Sequence, residues 1–360
     1  MFKSKCLKII GSSIVVALTL SACSNAAKNN TQAPAEIEQS KAETKVEKTP
    51  PFYIYTANES GSISKIDVET NKVIETFKDE GSPHNVQVSP DGKVFAYTSV
   101  VKMEEGQTDH GIMSMNGSVV FYDVETGKQI KKVEVGKHPA HIVFTEDGKY
   151  AVVTNNEDNN VSIIDAKTYK LINNVKVGKG PHGFRISADN KFVYIANMAE
   201  DTVSVVDIEN QKEVNKIKVG KTPVTTGITK DGKTLVATVN SENYLAIVDM
   251  VTDKVEKVAV GIGPAQVYLS VDDKYAYVAN QGTEKNPSNT VSKVDLTTKQ
   301  VVATIEAGKG AHGVVVSPDN KFVYVTNMYE ATVSVIDNET NKVITTIPVD
   351  EEPNGISFKK

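Results

Sequence analysis

Six copies of one turn, recurring about every forty residues, restrict this chain to a narrow set of architectures. The turn reads SPDGK at Ser89–Lys93, TEDGK from Thr145, SADNK from Ser187, TKDGK from Thr229, SVDDK from Ser270 and SPDNK from Ser317. Its aspartates Asp147, Asp189 and Asp231 are 42 residues apart, whereas 56 residues separate Asp91 from Asp147, which locates an insertion in the second copy. Two stretches, Gly178–Asp207 and Gly308–Asp337, agree almost letter for letter. A repeat this short cannot bury a core alone, so successive copies must pack on one another.

Within the last copy, GVVVS (Gly313–Ser317) is apolar throughout, as expected of an inner strand covered on both faces. The pair Asp319–Asn320 supplies hairpin residues that tolerate positive φ. FVYVTN (Phe322–Asn327) follows, then TVSVID (Thr332–Asp337) with apolar and polar residues alternating. NETNK turns the chain again and VITTIPV (Val343–Val349) is the outer strand. Four strands per repeat make a propeller blade. Strands of the FVYVTN type end at Asn58, Ser99, Asn155, Asn197, Asn240, Asn280 and Asn327, which gives seven blades. The expected fold class is all-β, a seven-bladed β-propeller of four-stranded antiparallel blades. The chain enters on a second strand (FYIYTAN) and ends on a lone first strand, GISF (Gly355–Phe358). That C-terminal strand is expected to join the N-terminal blade and leave no open sheet edge.

YVTN at Tyr324–Asn327, YIAN ending at Asn197 and YVAN ending at Asn280 resemble the YVTN family of β-propeller repeats, over Phe52–Lys360. The resemblance implies seven blades. It also admits several functions: binding modules, lactonase-like hydrolases, metal- or haem-dependent oxidoreductases and nucleic-acid binding.

Residues 1–22 have the form of a signal peptide. Lys3, Lys5 and Lys8 precede an apolar run from Ile9 to Leu20 that is too short for a stable membrane-spanning helix. LSAC (Leu20–Cys23) resembles the lipobox of bacterial lipoproteins. The resemblance implies cleavage before Cys23, lipid on its thiol, and an extracytoplasmic protein anchored to the bacterial cell membrane. An ordinary secretory signal with an incidental cysteine is the alternative. Cys6 leaves with the signal, so Cys23 is the sole thiol of the mature chain and no intramolecular disulfide can form. Residues 23–50 are polar and charged, too poor in apolar surface to offset the cost of ordering them, and read as a flexible tether. Residues 51–360 are the propeller.

Aligned on the turn, one residue per repeat falls where the chain crosses to the next inner strand: His84, Ala140, His182, Val224, Ala265, His312 and Asn354, with His141 one place further on. These positions are expected to ring the mouth of the central channel. Loops after the FVYVTN-type strands open on the same face and carry Met198 and Met328. The lengthened loop after Ser99 adds Met103, His110, Met113 and Met115, with Glu104, Glu105 and Asp109 beside them. The repeats with a mouth histidine are therefore the ones with methionine in the adjacent loop. Imidazole with thioether suits copper, and imidazole alone also suits zinc. Candidate metal or ligand residues are thus His84, His182, His312, His110, Met198 and Met328. The competing reading makes each histidine a backbone hydrogen-bonding group and each methionine an apolar cap. Arg185, the chain's one arginine, occupies a position of mixed polarity along the inner strands, where it could hold an anion in the channel or make a structural ion pair.

The expected function is binding, to a protein or small-ligand partner or a Cu or Zn ion at that mouth, by a monomer held to the membrane through its lipid. The alternative is an enzyme, a lactonase-like hydrolase or a metal- or haem-dependent oxidoreductase. No catalytic residue is assigned, because CxxCH, G-x-S-x-G and HExxH are all absent from the chain. Net charge −5, a single arginine and no tryptophan argue against nucleic acid as a partner.

Overall fold

The computed structural model describes residues 52–102 and 115–359. Cys23, Met103, His110 and Met113 lie outside the described residues. The described chain forms seven four-stranded antiparallel sheets and one short 3-10 turn, Asn240–Glu242. In the last blade the strands run Ala311–Val316, Phe322–Asn327, Thr332–Asp337 and Lys342–Pro348, within two residues of the sequence expectation. The inner strands of blades 1 to 7 are Pro353–Phe358, Ser82–Val88, Pro139–Phe144, Pro181–Ile186, Pro223–Ile228, Pro264–Leu269 and Ala311–Val316. Each touches the next, and the last touches the first, so the seven close a ring around an axis.

Closure is made by the strand expected to make it. Pro353–Phe358 pairs antiparallel with Tyr53–Asn58, placing Phe358 opposite Ile54 and Ile356 opposite Thr56. The Glu59 N–H donates to the Glu352 carbonyl and the Lys359 N–H to that of Tyr53. The apolar core lies between blades rather than within them. Between blades 7 and 1, for example, Val315, Tyr324 and Val333 meet Ile54, Ile66 and Phe358. Fully burying one such side chain contributes roughly 1.5–3 kcal/mol. A blade removed from its neighbours would forfeit most of that.

The repeated turn is a self-contained hydrogen-bond unit. The Ser89 hydroxyl donates to Asp91 Oδ1 at 2.7 Å, and the Lys93 and Val94 amides donate back to Asp91 and Ser89. The fourth residue turns the chain with positive φ, as Gly92 (φ 68°) or as Asn320 (φ 63°), which explains the D-G and D-N spellings. The terminal asparagine of the second strand is also structural. Asn327 Nδ2 donates to Thr332 and Ser334, while its Oδ1 accepts from the Gly308 amide, which pins the incoming crossing segment to the strand end.

Three strand ends depart from expectation. The blade 2 strand runs to Val100, Asn240 opens the 3-10 turn, and the blade 6 strand continues past Asn280 to Thr283 because Asn286–Asp295 extends the hairpin beside it. Among the described residues no helix is long and apolar enough to cross a membrane.

Candidate functional site

Six of the seven inner strands carry the same irregularity near their start. The register against the second strand shifts between Pro83 and Val86, Pro139 and Ile142, Pro181 and Phe184, Pro223 and Thr226, Pro264 and Val267, and Ala311 and Val314. Two residues per blade therefore leave the ladder, and a bulge of this kind re-aims side chains. They are His84–Asn85, Ala140–His141, His182–Gly183, Val224–Thr225, Ala265–Gln266 and His312–Gly313. The sequence placed the histidines in a crossing segment. They stand instead inside the inner strands, on these bulges.

The buried threonine of the TN strand end compensates for the broken ladder. Thr154 Oγ1 accepts from the His141 N–H at 3.0 Å and donates to the His182 carbonyl at 2.8 Å. Thr98 makes the same pair of contacts with Asn85 and Ala140, and Thr326 with Gly313 and Asn354. At each of these three interfaces one hydroxyl thus ties two successive inner strands together at the level of the bulges.

Three of those histidines converge. Nitrogens of His84, His141 and His182, from blades 2, 3 and 4, lie within 4.8 Å of one another. His84 Nε2 and His182 Nε2 are 3.2 Å apart. Behind them, His84 Nδ1 lies 2.6 Å from Glu59 Oε1, which also accepts from Asn354 Nδ2 at 2.6 Å. His182 Nδ1 lies 3.3 Å from the Val224 carbonyl oxygen. A carbonyl only accepts, so His182 Nδ1 carries a proton and its Nε2 presents a lone pair. Glu59, when ionised, likewise accepts the His84 Nδ1 proton; a charged His84 also carries a proton on Nε2, which then donates to the His182 Nε2 lone pair. His141 is 1% exposed, and neither of its ring nitrogens has a hydrogen-bond partner.

The electrostatics favour the neutral, ligating form of His141 and His182. Burial, followed by the neighbouring His182 and His84 charges, holds His141 well below the usual histidine value; burial and His84 do the same to His182. Burial acts to raise Glu59, but the His84 hydrogen bond and charge outweigh it, and the carboxyl sits below its ordinary range. Tetrahedral coordination by imidazoles at ordinary zinc–nitrogen lengths puts ligand nitrogens about 3.3 Å apart. The trio spans 3.2 Å to 4.8 Å, so small side-chain rotations would complete such a geometry.

The other candidates fall elsewhere. His312, in blade 7, directs Nδ1 to the Asn354 carbonyl at 3.3 Å and is not one of the three converging imidazoles. The Met328 sulfur accepts from Gln281 Nε2 at 3.2 Å. Met198 is partly buried in the blade 4 loop, its amide bonded to Gly180. Arg185 donates from Nη1 to the Phe184 carbonyl at 2.9 Å and lies over the Tyr268 ring at 5.2 Å. No carboxylate pairs with it among the described residues.

Sequence reasoning noted His141 but left it out of the site, and it missed Glu59 and His138. Glu59 occupies in blade 1 the place that Met198 and Met328 occupy in theirs, directly after the strand-end asparagine. His138 holds a positive-φ position (φ 49°) where other blades use Gly180, Gly263 or Gly310. Burial, then the His84 charge, lowers its pKa.

Comparison with known proteins extends the picture. A sequence model of the cytochrome D1 heme domain matches residues 257–355. The donor set here does not suit a haem: three imidazole nitrogens crowd around one point, whereas a haem ring supplies four nitrogens and leaves only its two opposite faces to the protein. Of the described histidines, the matched segment contains His312 alone. Among solved structures, hydrazine synthase of Kuenenia stuttgartiensis is 22% identical, with a TM-score of 0.65 over 76% of this chain and 89% of that one. Dihydro-heme d1 dehydrogenase NirN is 14% identical, with a TM-score of 0.63 over 85% and 74%. A 6-phosphogluconolactonase-like protein of Bacteroides fragilis is 14% identical, with a TM-score of 0.66 over 86% and 98%. Likenesses this distant share a fold and not a chemistry. A second sequence model covers residues 107–286, half of the chain, and by that match the protein belongs to the YNCE-like beta-propeller family.

Proposed function

We propose that this protein is a membrane-anchored, extracytoplasmic binding module that holds one divalent transition-metal ion on His84, His141 and His182. The observation that carries the reading is the 3.2 Å approach of His84 Nε2 and His182 Nε2, both with Nδ1 committed to an acceptor behind. Nitrogens at that distance share a cation, a proton when His84 is charged and a metal ion when it displaces that proton. The buried and unpartnered nitrogens of His141 supply the third donor. An all-nitrogen set suits Zn or Cu(II) better than Cu(I), which favours sulfur. Three protein ligands leave a further position open to an outside ligand. The Glu59 carboxylate behind His84 is the outer partner that fixes the imidazole tautomer and raises its basicity.

The test is metal content and affinity of the purified protein. Wild type is expected to take up one equivalent of Zn or Cu(II), while His84→Ala, His141→Ala and His182→Ala fall to background and His312→Ala retains the ion. Uptake by all four variants alike would overturn the assignment, provided their melting curves show them folded. Anchoring rests on Cys23 and is tested apart from the metal. Cys23→Ser is expected to lose labelled palmitate and leave the membrane fraction; retained label would remove the anchor from the proposal.

A further inference from the structure

Arg185 stands on the inner strand of blade 4, yet its guanidinium lies over Tyr268 of blade 6. Blade 5 separates the two, and the residue in the matching register there is Gly227, which offers no side chain to block the way. The arginine therefore reaches over the inner wall of the channel to the second blade along. The bulge explains how it shares the channel with His182. The two are three residues apart, a spacing that puts side chains on opposite faces of a regular strand, but the register shift between Pro181 and Phe184 reverses the alternation.

The guanidinium carries five N–H donors, of which one is used, on its own neighbour's carbonyl. Tyr268 covers one of its faces and leaves the edge of the fork free. Burial pushes Arg185 below its ordinary value against an opposing contribution from Tyr268, and no carboxylate among the described residues pairs with it. A half-buried cation without a carboxylate beside it costs stability, and nothing in the blade repeat calls for one: the equivalent residues are Gln87, Val143, Gly227, Tyr268, Val315 and Ser357. Gln87 and Ser357, joined at 3.3 Å, add polar groups to the same ring of positions.

We propose that the inner strands of blades 4 to 6, where Arg185 reaches past Gly227 to Tyr268, form a binding site for a small planar oxyanion, of the carboxylate or nitrate class, held by the fork of Arg185. A planar, two-oxygen edge matches the free edge of the guanidinium, and the stacked Tyr268 fixes the plane in which it must lie. The site does not require a metal, although an ion on the histidines would add a second positive charge.

The test uses the intact protein stripped of metal with a chelator, in buffer free of competing anions, titrated calorimetrically with formate and with nitrate. Saturable one-site binding is expected in wild type, weakened at least tenfold in Arg185→Gln and partly kept in Arg185→Lys, which retains the charge without the fork. A melting curve guards against a merely structural arginine. Without anion, Arg185→Met should melt at or above the wild-type temperature, and formate should raise the melting temperature of wild type alone. No saturable binding, equal binding in Arg185→Gln, or a clear drop in the melting temperature of Arg185→Met would each overturn the proposal. Because no metal is present, none of these results bears on the three-histidine reading.

Discussion

The Thr154 hydroxyl donates to the carbonyl oxygen of His182 while accepting the amide of His141, so one buried oxygen sets the spacing of two imidazoles from different blades. Thr154→Val keeps the shape and removes both bonds, leaving a buried N–H and a buried C=O without partners. The expected cost is about 1–3 kcal/mol of stability. Metal affinity should fall with it, although no proposed ligand has been altered. Denaturant titration and metal titration of the one variant check both parts, and a loss of stability with unchanged affinity would show that the hydroxyl supports the blades but not the site.

Glu59 makes a different kind of contribution, through charge. Replacing Glu59 with Gln preserves an acceptor for His84 Nδ1 and deletes the negative charge 2.6 Å away. Affinity for Zn or Cu(II) is expected to drop about 10- to 100-fold. Glu59→Asp, shorter but still charged, should lie between the two. Equal affinities across the three proteins would mean that the carboxylate only pins Asn354.

Acid should weaken the fold through its buried histidines. His312 is lowered from 6.5 to about 4, first by burial and then by the His84 charge. Below about pH 6.5 the unfolded chain takes up a proton that the folded chain refuses, so stability falls as the pH falls and levels off once the folded form also protonates, below about 4. The gap between the two values corresponds to on the order of 3 kcal/mol. His141 and His182 act in the same direction. Urea midpoints measured in chelator at pH 7, 5.5 and 4.5 should decline less steeply in His312→Gln than in wild type; parallel curves would contradict the assignment.

Ending the chain after Glu352 removes the strand that closes the ring. The edge of Tyr53–Asn58 then lies open, and Ile356 and Phe358 no longer cover Ile54 and Tyr324. Two lost anchors at roughly 1.5–3 kcal/mol each, together with an unpaired edge, should turn a cooperative melt into a broad one and promote aggregation. Size-exclusion chromatography and calorimetry of the truncated chain would show it, whereas a sharp transition at the wild-type temperature would mean that the ring tolerates the gap.

The scaffold was legible because its determinants are local. The SPDGK turn bonds to itself within six residues, the alternation in TVSVID marks one buried face, and a four-strand unit repeated seven times leaves one architecture. The site was only half legible. Alignment on the repeat allots one mouth residue to each blade, but a bulge presents two, which is how His141 came to be set aside. His84 and His182 are 98 residues apart in sequence, and that separation says nothing of a 3.2 Å approach. His312 shares their sequence context but belongs to blade 7, whereas the three that converge come from the consecutive blades 2, 3 and 4. Glu59 holds in blade 1 the place that methionine holds in blades 4 and 7, and a carboxylate there carries no ligand signal in the repeat pattern.

The bulges also separate two selective pressures that most strands must satisfy at once. A residue on a regular inner strand packs against a neighbouring blade, so exchanging it disturbs the interior. A residue on the bulge has already left the ladder, and in blades 2, 3, 5 and 7 a threonine at the adjoining strand end accepts a bulge amide, where blades 4 and 6 have Ala196 and Ala279. Histidine, asparagine, alanine, valine, glutamine and glycine all occupy these places in one molecule. At the first of the two bulge places histidine, alanine and valine exchange from blade to blade, while Gly183 and Gly313 at the second leave no room for a Cβ, so near-identical units acquire a chemically asymmetric centre chiefly through one socket per repeat.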